Sequence, residues 1–507
     1  MIRHSDRLLT ALLAGALLWA PLPFGGAVPW AEASLRVLAF GCLALAMLAA
    51  DRLSPVRRVA LPAAALAGIA LFGWLQSLRW PAGLAALLSP GHVRLWGEAA
   101  SLLGAESASP RLTLAAAATR SAALTWAAVA ACLVAAAVAG RERAHRRVLV
   151  AALLAGGLFQ VLFGARGWFA RATTIWGVEV TSNPARLRGT FVNSNHLALY
   201  LGLALTATFA WIWWSVRRAA GEPRPERKIA LVAPSVLLWL TLFAGLAFTG
   251  SRAGLLAAVA AVSAQGVLLA RASHRWRTAV LGLAAAALGL GVVAAIGFRE
   301  GLGRIVTTGA YDVSLGARLD AYRAAVGLWW RFPWTGTGLG TFRDAFPLVQ
   351  PGGLEGTWWH AHSDLLEIPV TVGVLGAGLA AVGVWGMARR LLAVLRDGNR
   401  SEDRAAALAV LGGLVGLAVH EALDFGLTMP GNALTLAILA GATAAARTSA
   451  QAHVARQDAP AREALDLEQV QPVADPDGRR EDRRPAARTS RKPRANRKRA
   501  QRGTVEP

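Results

Sequence analysis

Residues 121–165 read SAALTWAAVAACLVAAAVA, then GRERAHRR, then VLVAALLAGGLFQVLFGA. Each apolar run approaches the roughly 17–25 residues that cross the hydrocarbon core of a bilayer. The segment between them holds Arg141, Arg143, Arg146 and Arg147, charges that are costly at bilayer depth. The three pieces therefore read as two transmembrane helices joined by a short basic connection. Such connections favour the cytoplasmic side.

The same alternation extends in both directions. A soluble protein of this size would carry roughly a quarter of its residues charged. This chain of 507 residues has 16% charged and 55% hydrophobic residues, with mean hydropathy +0.43. About twelve spans are expected, near 8–24, 36–50, 59–76, 121–139, 148–165, 196–215, 229–248, 253–270, 278–297, 364–387, 405–423 and 430–446. The fold class is thus all-α, a polytopic integral membrane bundle. DRLSPVRR (51–58), GRERAHRR (140–147), RRAAGEPRPERK (217–228), RASHRWR (271–277) and RRLLAVLRDGNR (389–400) are arginine-rich and assign one face to the cytoplasm. The other connections (25–34, about 78–120, 166–195, the tight TGSR at 249–252, and 298–363) are richer in Trp, Gly and Pro and open on the outer face. An even number of spans leaves both termini inside. The first run is expected to be a retained span rather than a cleaved signal peptide, since further spans follow it. Cys42 and Cys132 both sit within apolar runs, which suggests packing rather than a disulfide or metal framework.

Much of the net charge of +23 sits in the tail, where 478–502 read GRREDRRPAARTSRKPRANRKRAQR. So few aliphatic residues cannot build a core, so the tail (448–507) is expected to be disordered and to lie near anionic membrane lipids. Nucleic acid is not an expected partner, because the basic stretch has no aromatic residue on which a base would stack.

Chemistry concentrates at the outer edge of the tenth span, in HAHSDLLEIPVTVGVLG (360–376). Ionisable groups at the rim of a membrane domain mark a functional site when they face a cavity, and histidine moves protons near neutral pH. His360 and His362, with Ser363 and Asp364, admit several readings: an interface hydrogen bond, a metal ligand pair lacking its further ligands, a transporter relay, or a general base. The arginines of the outer face join them. Arg186 and Arg188 lie in SNPARLRGTFVNSNHLALYL (182–201), Arg252 in FTGSRAGLLA (248–257). Guanidinium forks match phosphate oxygens, so a site that clamps an anionic phosphate and moves a proton beside it is expected. Arg318 belongs to SLGARLDAYRAAVGLWWRFPWTGTGLGTFRDAFP (314–347), read as an amphipathic helix followed by a glycine-rich turn. The G-x-G-x-G run at Gly336, Gly338 and Gly340 has no preceding strand and no P-loop lysine, and reads as a tight turn against the membrane rather than a nucleotide loop. His420, Glu421 and Asp424, in LAVHEALDFGL (417–427), form a polar group expected to pack behind the site or shape the acceptor entrance.

RLRGTFVNSNHLALYL, TGSRAG, ARL…WWRFPWTGTGLGTF and HAHSDLLEIPVTVGVLG occur in an order that resembles the O-antigen ligase and polymerase superfamily of bacterial envelopes. The resemblance covers about 180 to 390, and its most specific part is His362-Ser363, nine residues, then Gly373-x-x-Gly376. It implies a GT-C-like bundle with short helices in the large periplasmic loop, divided into N-terminal spans (1–180), a ligase-like core (181–390), C-terminal spans (391–447) and the tail. It implies His362 as the essential base and Arg252 with Arg186 or Arg188 as pyrophosphate ligands, with His360, Arg318, Ser363 and Asp364 as acceptor-side or supporting groups. One departure is Thr371, where many members carry an acidic residue. The implied activity is an inverting glycosyl transfer at the periplasmic face of the inner membrane, without metal or other cofactor. The donor would be a glycan on undecaprenyl pyrophosphate and the acceptor lipid A–core. Polysaccharide polymerase, protein O-oligosaccharyltransferase and, more distantly, solute transporter are the alternatives.

Overall fold

The computed structural model describes residues 2–49, 54–105, 109–180, 184–273 and 315–449, with Gly291, Gln451 and His453 as isolated positions. In chain order the helices are α1 (Ile2–Trp19), α2 (Pro29–Ala49), α3 (Ser54–Arg57), α4 (Ala60–Gln76), α5 (Ala82–Leu88), α6 (Pro90–Leu102), α7 (Ala116–Ala139), α8 (Arg143–Phe169), α9 (Ser194–Ala219), α10 (Pro225–Phe248), α11 (Arg252–Ser273), α12 (Leu315–Arg331), α13 (Phe342–Ala345), α14 (Asp364–Asp397), α15 (Ser401–Leu423) and α16 (Pro430–Ala444). One small hairpin, β1 (Thr174–Ile175) and β2 (Val178–Glu179), lies between α8 and α9. Its two turn residues, Trp176 and Gly177, both have positive φ (53° and 80°), the geometry that lets a two-residue turn follow the twist of its strands.

The protein is a polytopic helical membrane protein. Eight of the described helices (α2, α7, α8, α9, α10, α11, α14 and α15) are long and apolar enough to cross a bilayer. The shorter or end-charged α1, α4 and α16 occupy three more of the expected spans. The ninth, 278–297, lies outside the described residues apart from Gly291, as do 298–314 and the tail from 454. α1 packs into the bundle, with Leu9, Leu13 and Leu17 fully buried on one face by their spacing of four.

Alanine and glycine set how closely the helices approach. In a bilayer the lipid is as apolar as leucine, so helices associate by close packing rather than by escape from water. α7 is buried along most of its length by alanines and lies against α16, α4 and α2. A Cβ on Gly441 of α16 would stand 2.2 Å from the Leu133 carbonyl oxygen, and one on Gly140 would stand 2.4 Å from that of Ala442. Any larger residue at either position would drive the two helices apart.

The connections gather at two ends. At one, Arg146 pairs with Asp403, Arg147 with Glu402 (2.5 and 2.7 Å) and Arg141 with Asp6 (2.5 Å), while Arg58 donates to Ala445 O and Arg390 to Ala444 O and Ala446 O, at and just past the end of α16. At the other, segments far apart in sequence interlock. Leu114 N–H donates to Thr337 O (2.9 Å), Leu187 N–H to Phe248 O (2.9 Å) and Asp364 N–H to Asp424 O (3.1 Å). Helices α5 and α6, absent from the sequence reading of 78–120, belong to this second end. A Cβ on Gly91 would stand 2.6 Å from Arg331 O, so α6 lies directly on the end of α12.

α14 is broken. Gly373 has φ 62° and ψ −170°, values that glycine alone adopts readily. The carbonyls of Val370 and Thr371 receive Thr337 N–H and Gly338 N–H (2.9 Å each), while Val374 N–H turns to Pro333 O (2.9 Å). The glycine run thus inserts into the opened helix, and Gly336 (φ 70°) faces Thr371 so closely that a Cβ would stand 2.3 Å from its carbonyl carbon. Gln76, fully buried, completes the seam by donating to Thr335 O (2.7 Å) and accepting from Leu339 N–H (3.0 Å). Non-helical backbone at membrane depth is tolerated only when so satisfied.

Candidate functional site

His362 ends the loop that enters α14. Its φ is 57°, a left-handed conformation rare for a residue with a side chain and common where neighbours impose it for function. Five hydrogen bonds impose it. Tyr322 OH donates to His362 O (2.8 Å), and Ala361 N–H donates to Glu367 Oε2 (2.8 Å). Ser363 caps α14, its Oγ accepting from Leu366 N–H (3.4 Å) and donating to Glu421 O (3.1 Å). His360 Nδ1 lies 3.1 Å from Glu367 Oε1.

Phe425 is the hub. His360 stacks on its ring at 4.3 Å between centroids, and His362 meets it edge-on at 4.9 Å. Trp358 closes the far side of His362 at 5.7 Å. Beneath this layer the carboxylates are spent on backbone N–H groups. Asp364 Oδ2 accepts from Leu427 and Thr428 (3.0 and 3.1 Å), Glu421 Oε2 from Gly426 and Leu427 (2.7 and 3.0 Å), and Asp424 Oδ1 from Phe425 (3.0 Å). His420, fully buried, bridges Glu421 and the Asn195 carbonyl. The polar group 420–424 therefore packs behind the histidine turn.

The two histidines are driven in opposite directions. Burial lowers the His362 pKa, the charge of Arg318 lowers it further, and the opposing pull of Asp424 leaves it at about 4. Burial also disfavours charge on His360, but the Glu367 carboxylate, its hydrogen bond and the charges of Asp364 and Asp424 outweigh it and hold His360 above its usual value. At neutral pH His362 is a neutral imidazole. Its Nδ1 is buried with no hydrogen-bond partner among the described residues, and so is Nε of Arg318. Arg318 also reaches Leu423 O through Nη1 (3.3 Å).

Arg186 and Arg188, two residues apart, reach different partners. Arg186 donates from Nε to Thr249 O (2.6 Å) and from Nη2 to Asn195 Oδ1 (2.5 Å). Asn195 in turn donates to Asp424, so Arg186 is joined through two hydrogen bonds to the carboxylate that acts on His362. Thr249 begins the turn that leads to Arg252, the exposed first residue of α11. Arg188 is buried and donates to Ala172 O (2.6 Å) and Thr174 O (3.4 Å) under the hairpin, and burial lowers its pKa. Both arginines line a cavity of about 200 Å³ with Arg166, Trp168 and Trp176. His360 and His362 thus meet Phe425, Ser363, Asp364 and Arg318 bond to the segment 421–428 around it, Arg186 joins that segment through Asn195, Arg252 flanks the adjoining turn, and Arg188 shares the cavity with Arg186 while donating to the carbonyls before and within β1. Among the described residues, no group of His, Cys, Asp and Glu is arranged to hold a metal ion.

Four participants escape a sequence reading. Asn195 carries only the signal of a helix start, since Asn193 caps α9 by accepting its N–H (2.9 Å). Tyr322 stands four residues after Arg318 on α12, the spacing that puts both on one face. Glu367 sits in the first turn of α14 with nothing local to mark the loop it holds, and Phe425 carries no local signal at all.

These features define a class: a multi-pass helical membrane protein that assembles a histidine, arginines and buried carboxylates at one end of its bundle. Residues 236–381 match a family model described as O-antigen ligase. Over that stretch the chain is similar to the O-antigen ligase family. The matched stretch includes Arg252, Arg318, His360, His362 and the break at Gly373, and leaves Arg186, Asn195 and Phe425 outside it. No curated protein matches the chain.

Proposed function

We propose that the protein transfers a glycan from undecaprenyl pyrophosphate to an acceptor hydroxyl at the periplasmic face of the inner membrane, as an O-antigen ligase acting on lipid A–core. The observation that carries this reading is His362: neutral at pH 7, held in a left-handed turn, and set in one polar network with Arg186. A neutral imidazole accepts a proton, and a guanidinium beside it stabilises charge that develops on a phosphate. Arg186 and Arg252 bind the pyrophosphate. His362 takes the proton of the acceptor hydroxyl as that oxygen bonds to the anomeric carbon. The bond from that carbon to phosphate breaks, and the lipid pyrophosphate leaves with the electron pair. A single displacement inverts the anomeric centre. Burial, with Arg318 adding to it, keeps the imidazole unprotonated, and His360 with Glu367 fixes the turn. Outward orientation is supported by the loops of the site end, which are poorer in positive charge than those of the opposite end.

A polymerase would use the same groups with a second lipid-linked repeat unit as acceptor, and a protein O-oligosaccharyltransferase would use a serine hydroxyl. A transporter is disfavoured because the broken span α14, which carriers use to hold substrate, is here filled by the chain's own backbone and Gln76. The test is purified protein with a lipid-linked glycan and either lipid A–core or a second repeat unit, in chelator. Product on lipid A–core is expected. Product only on the repeat unit reassigns the protein as a polymerase, and no product with any acceptor overturns the transfer reading.

A further inference from the structure

The end of the bundle opposite the histidine turn carries a second basic site. α9 begins beside the site at Ser194 and ends at Ala219, and α15, packed along it, starts at Ser401 and reaches the site only at His420. Where α9 ends and α15 begins, a cleft of about 470 Å³ is lined by Trp213, Trp214, Arg217, Arg218, Ser401 and Arg404. Arg217 lies over the Trp213 ring at 5.3 Å and Arg218 over Trp214 at 5.5 Å. Three guanidinium groups share this cleft, and no carboxylate lines it.

The nearest carboxylates are already engaged. Glu402 binds Arg147 through both oxygens, and Asp403 binds Arg146 with Arg143 3.9 Å away, all on the α8 side. Among the described residues no ion pair includes Arg217, Arg218 or Arg404. Arg404 uses Nε on Gly398 O (3.1 Å), which orients its fork. α15 also starts without a side-chain cap, since Arg400 at that position makes no capping bond, and helix starts favour anions. The last-turn charge of α9 explains Arg217 and Arg218 as complements to its own carbonyls. It does not explain Arg404 across the cleft, or the two indoles that wall it.

We propose that this cleft binds the phosphodiester headgroup of an anionic phospholipid. Arginine forks match phosphate oxygens, indole rings sit at the depth where headgroup meets acyl chain, and a basic cleft between helices at the cytoplasmic surface is where such a lipid would be held. The same chemistry would accept free phosphate, so the test separates the two. Purified protein in mixed micelles is titrated with phosphatidylglycerol, with phosphatidylcholine, and with inorganic phosphate, and retained molecules are counted by native mass spectrometry. Phosphatidylglycerol is expected to bind roughly tenfold or more tightly than phosphatidylcholine. R217Q/R218Q is expected to remove that preference, and R224Q/R227Q, which changes net charge equally at exposed positions around the start of α10, to keep it. Equal affinity for the two lipids in the wild type overturns the proposal whatever the variants do. Equal loss in both double variants reduces it to surface charge, and displacement of lipid by millimolar phosphate reassigns the site to free phosphate.

Discussion

The two ends of the bundle use the same side chains for different ends. At the arginine-rich end, carboxylates meet guanidinium groups directly: Asp403 with Arg146, Glu402 with Arg147, Asp6 with Arg141. These pairs tie α8 to α15 and α1 to the start of α8, and their chemistry ends there. At the histidine end, Asp364, Glu367, Glu421 and Asp424 hold backbone N–H groups, and so shape loops rather than neutralise arginines. Arg186 is aimed there by a backbone carbonyl and an amide oxygen. In those three pairs charge is consumed in tying helices together, whereas at the histidine end it positions loops and side chains.

That contrast breaks first at His362. His362→Ala is expected to lower the transfer rate roughly 10²–10⁴-fold, the usual share of a general base, with membrane protein level unchanged. Near-normal turnover in proteoliposomes would remove the histidine end from the chemistry. Next comes the arginine pair. Arg186→Ala should cost about 10²–10³ in kcat, as the loss of one charge-stabilising donor does, while Arg188→Ala, lying under the hairpin, should mainly lower thermal stability. Single-turnover rates for the two variants decide which arginine acts, and the reverse order would exchange their roles.

At the opposite end the effect should be on stability alone. Arg146→Ala leaves Asp403 buried beside only the more distant Arg143, and removing one partner of a buried pair costs about 3–5 kcal/mol. The Tm should fall while KM of the folded fraction stays put. A changed KM would show that the two ends are coupled.

The smallest and sharpest effect concerns pH. His362, lowered to about 4, remains a base down to acidic pH, so the acid limb of kcat/KM should lie well below the 6.5 of an ordinary histidine. The same depression makes stability fall as pH drops from 6.5 towards 4, because the unfolded chain binds the proton first. His360 acts in the opposite sense: its raised value contributes stability below 6.5, and that contribution is lost as pH climbs through the folded value. Glu367→Gln removes the charge that raises His360, so the Tm difference between pH 6 and pH 8 should shrink or change sign. An unchanged difference would mean that His360 does not carry it.

The glycine positions show where sequence is informative. Gly373 is the first glycine of the His-Ser-x9-G-x-x-G spacing, and its left-handed φ explains why glycine stands there. The spacing was legible, but its cause was not, since the break exists only because residues 333–339 arrive to fill it. Arg186 and Arg188 are alike on paper. What they reach depends on a turn some sixty residues away (Thr249) and on a hairpin (Ala172, Thr174).

What the sequence determined by itself was the membrane bundle, the order of its spans and the residue types at one face. Each follows from local quantities, the transfer of a short apolar run into lipid and the cost of an arginine within it, and these are summed along the chain without knowing the neighbours. Only the tertiary structure decided that Phe425 stands between two histidines, that Asn195 links Arg186 to Asp424, and that Arg188 donates to the carbonyls of Ala172 and Thr174. Those outcomes depend on side chains brought together from helices distant in sequence, where a contact of a few ångströms is set by the packing of the whole bundle.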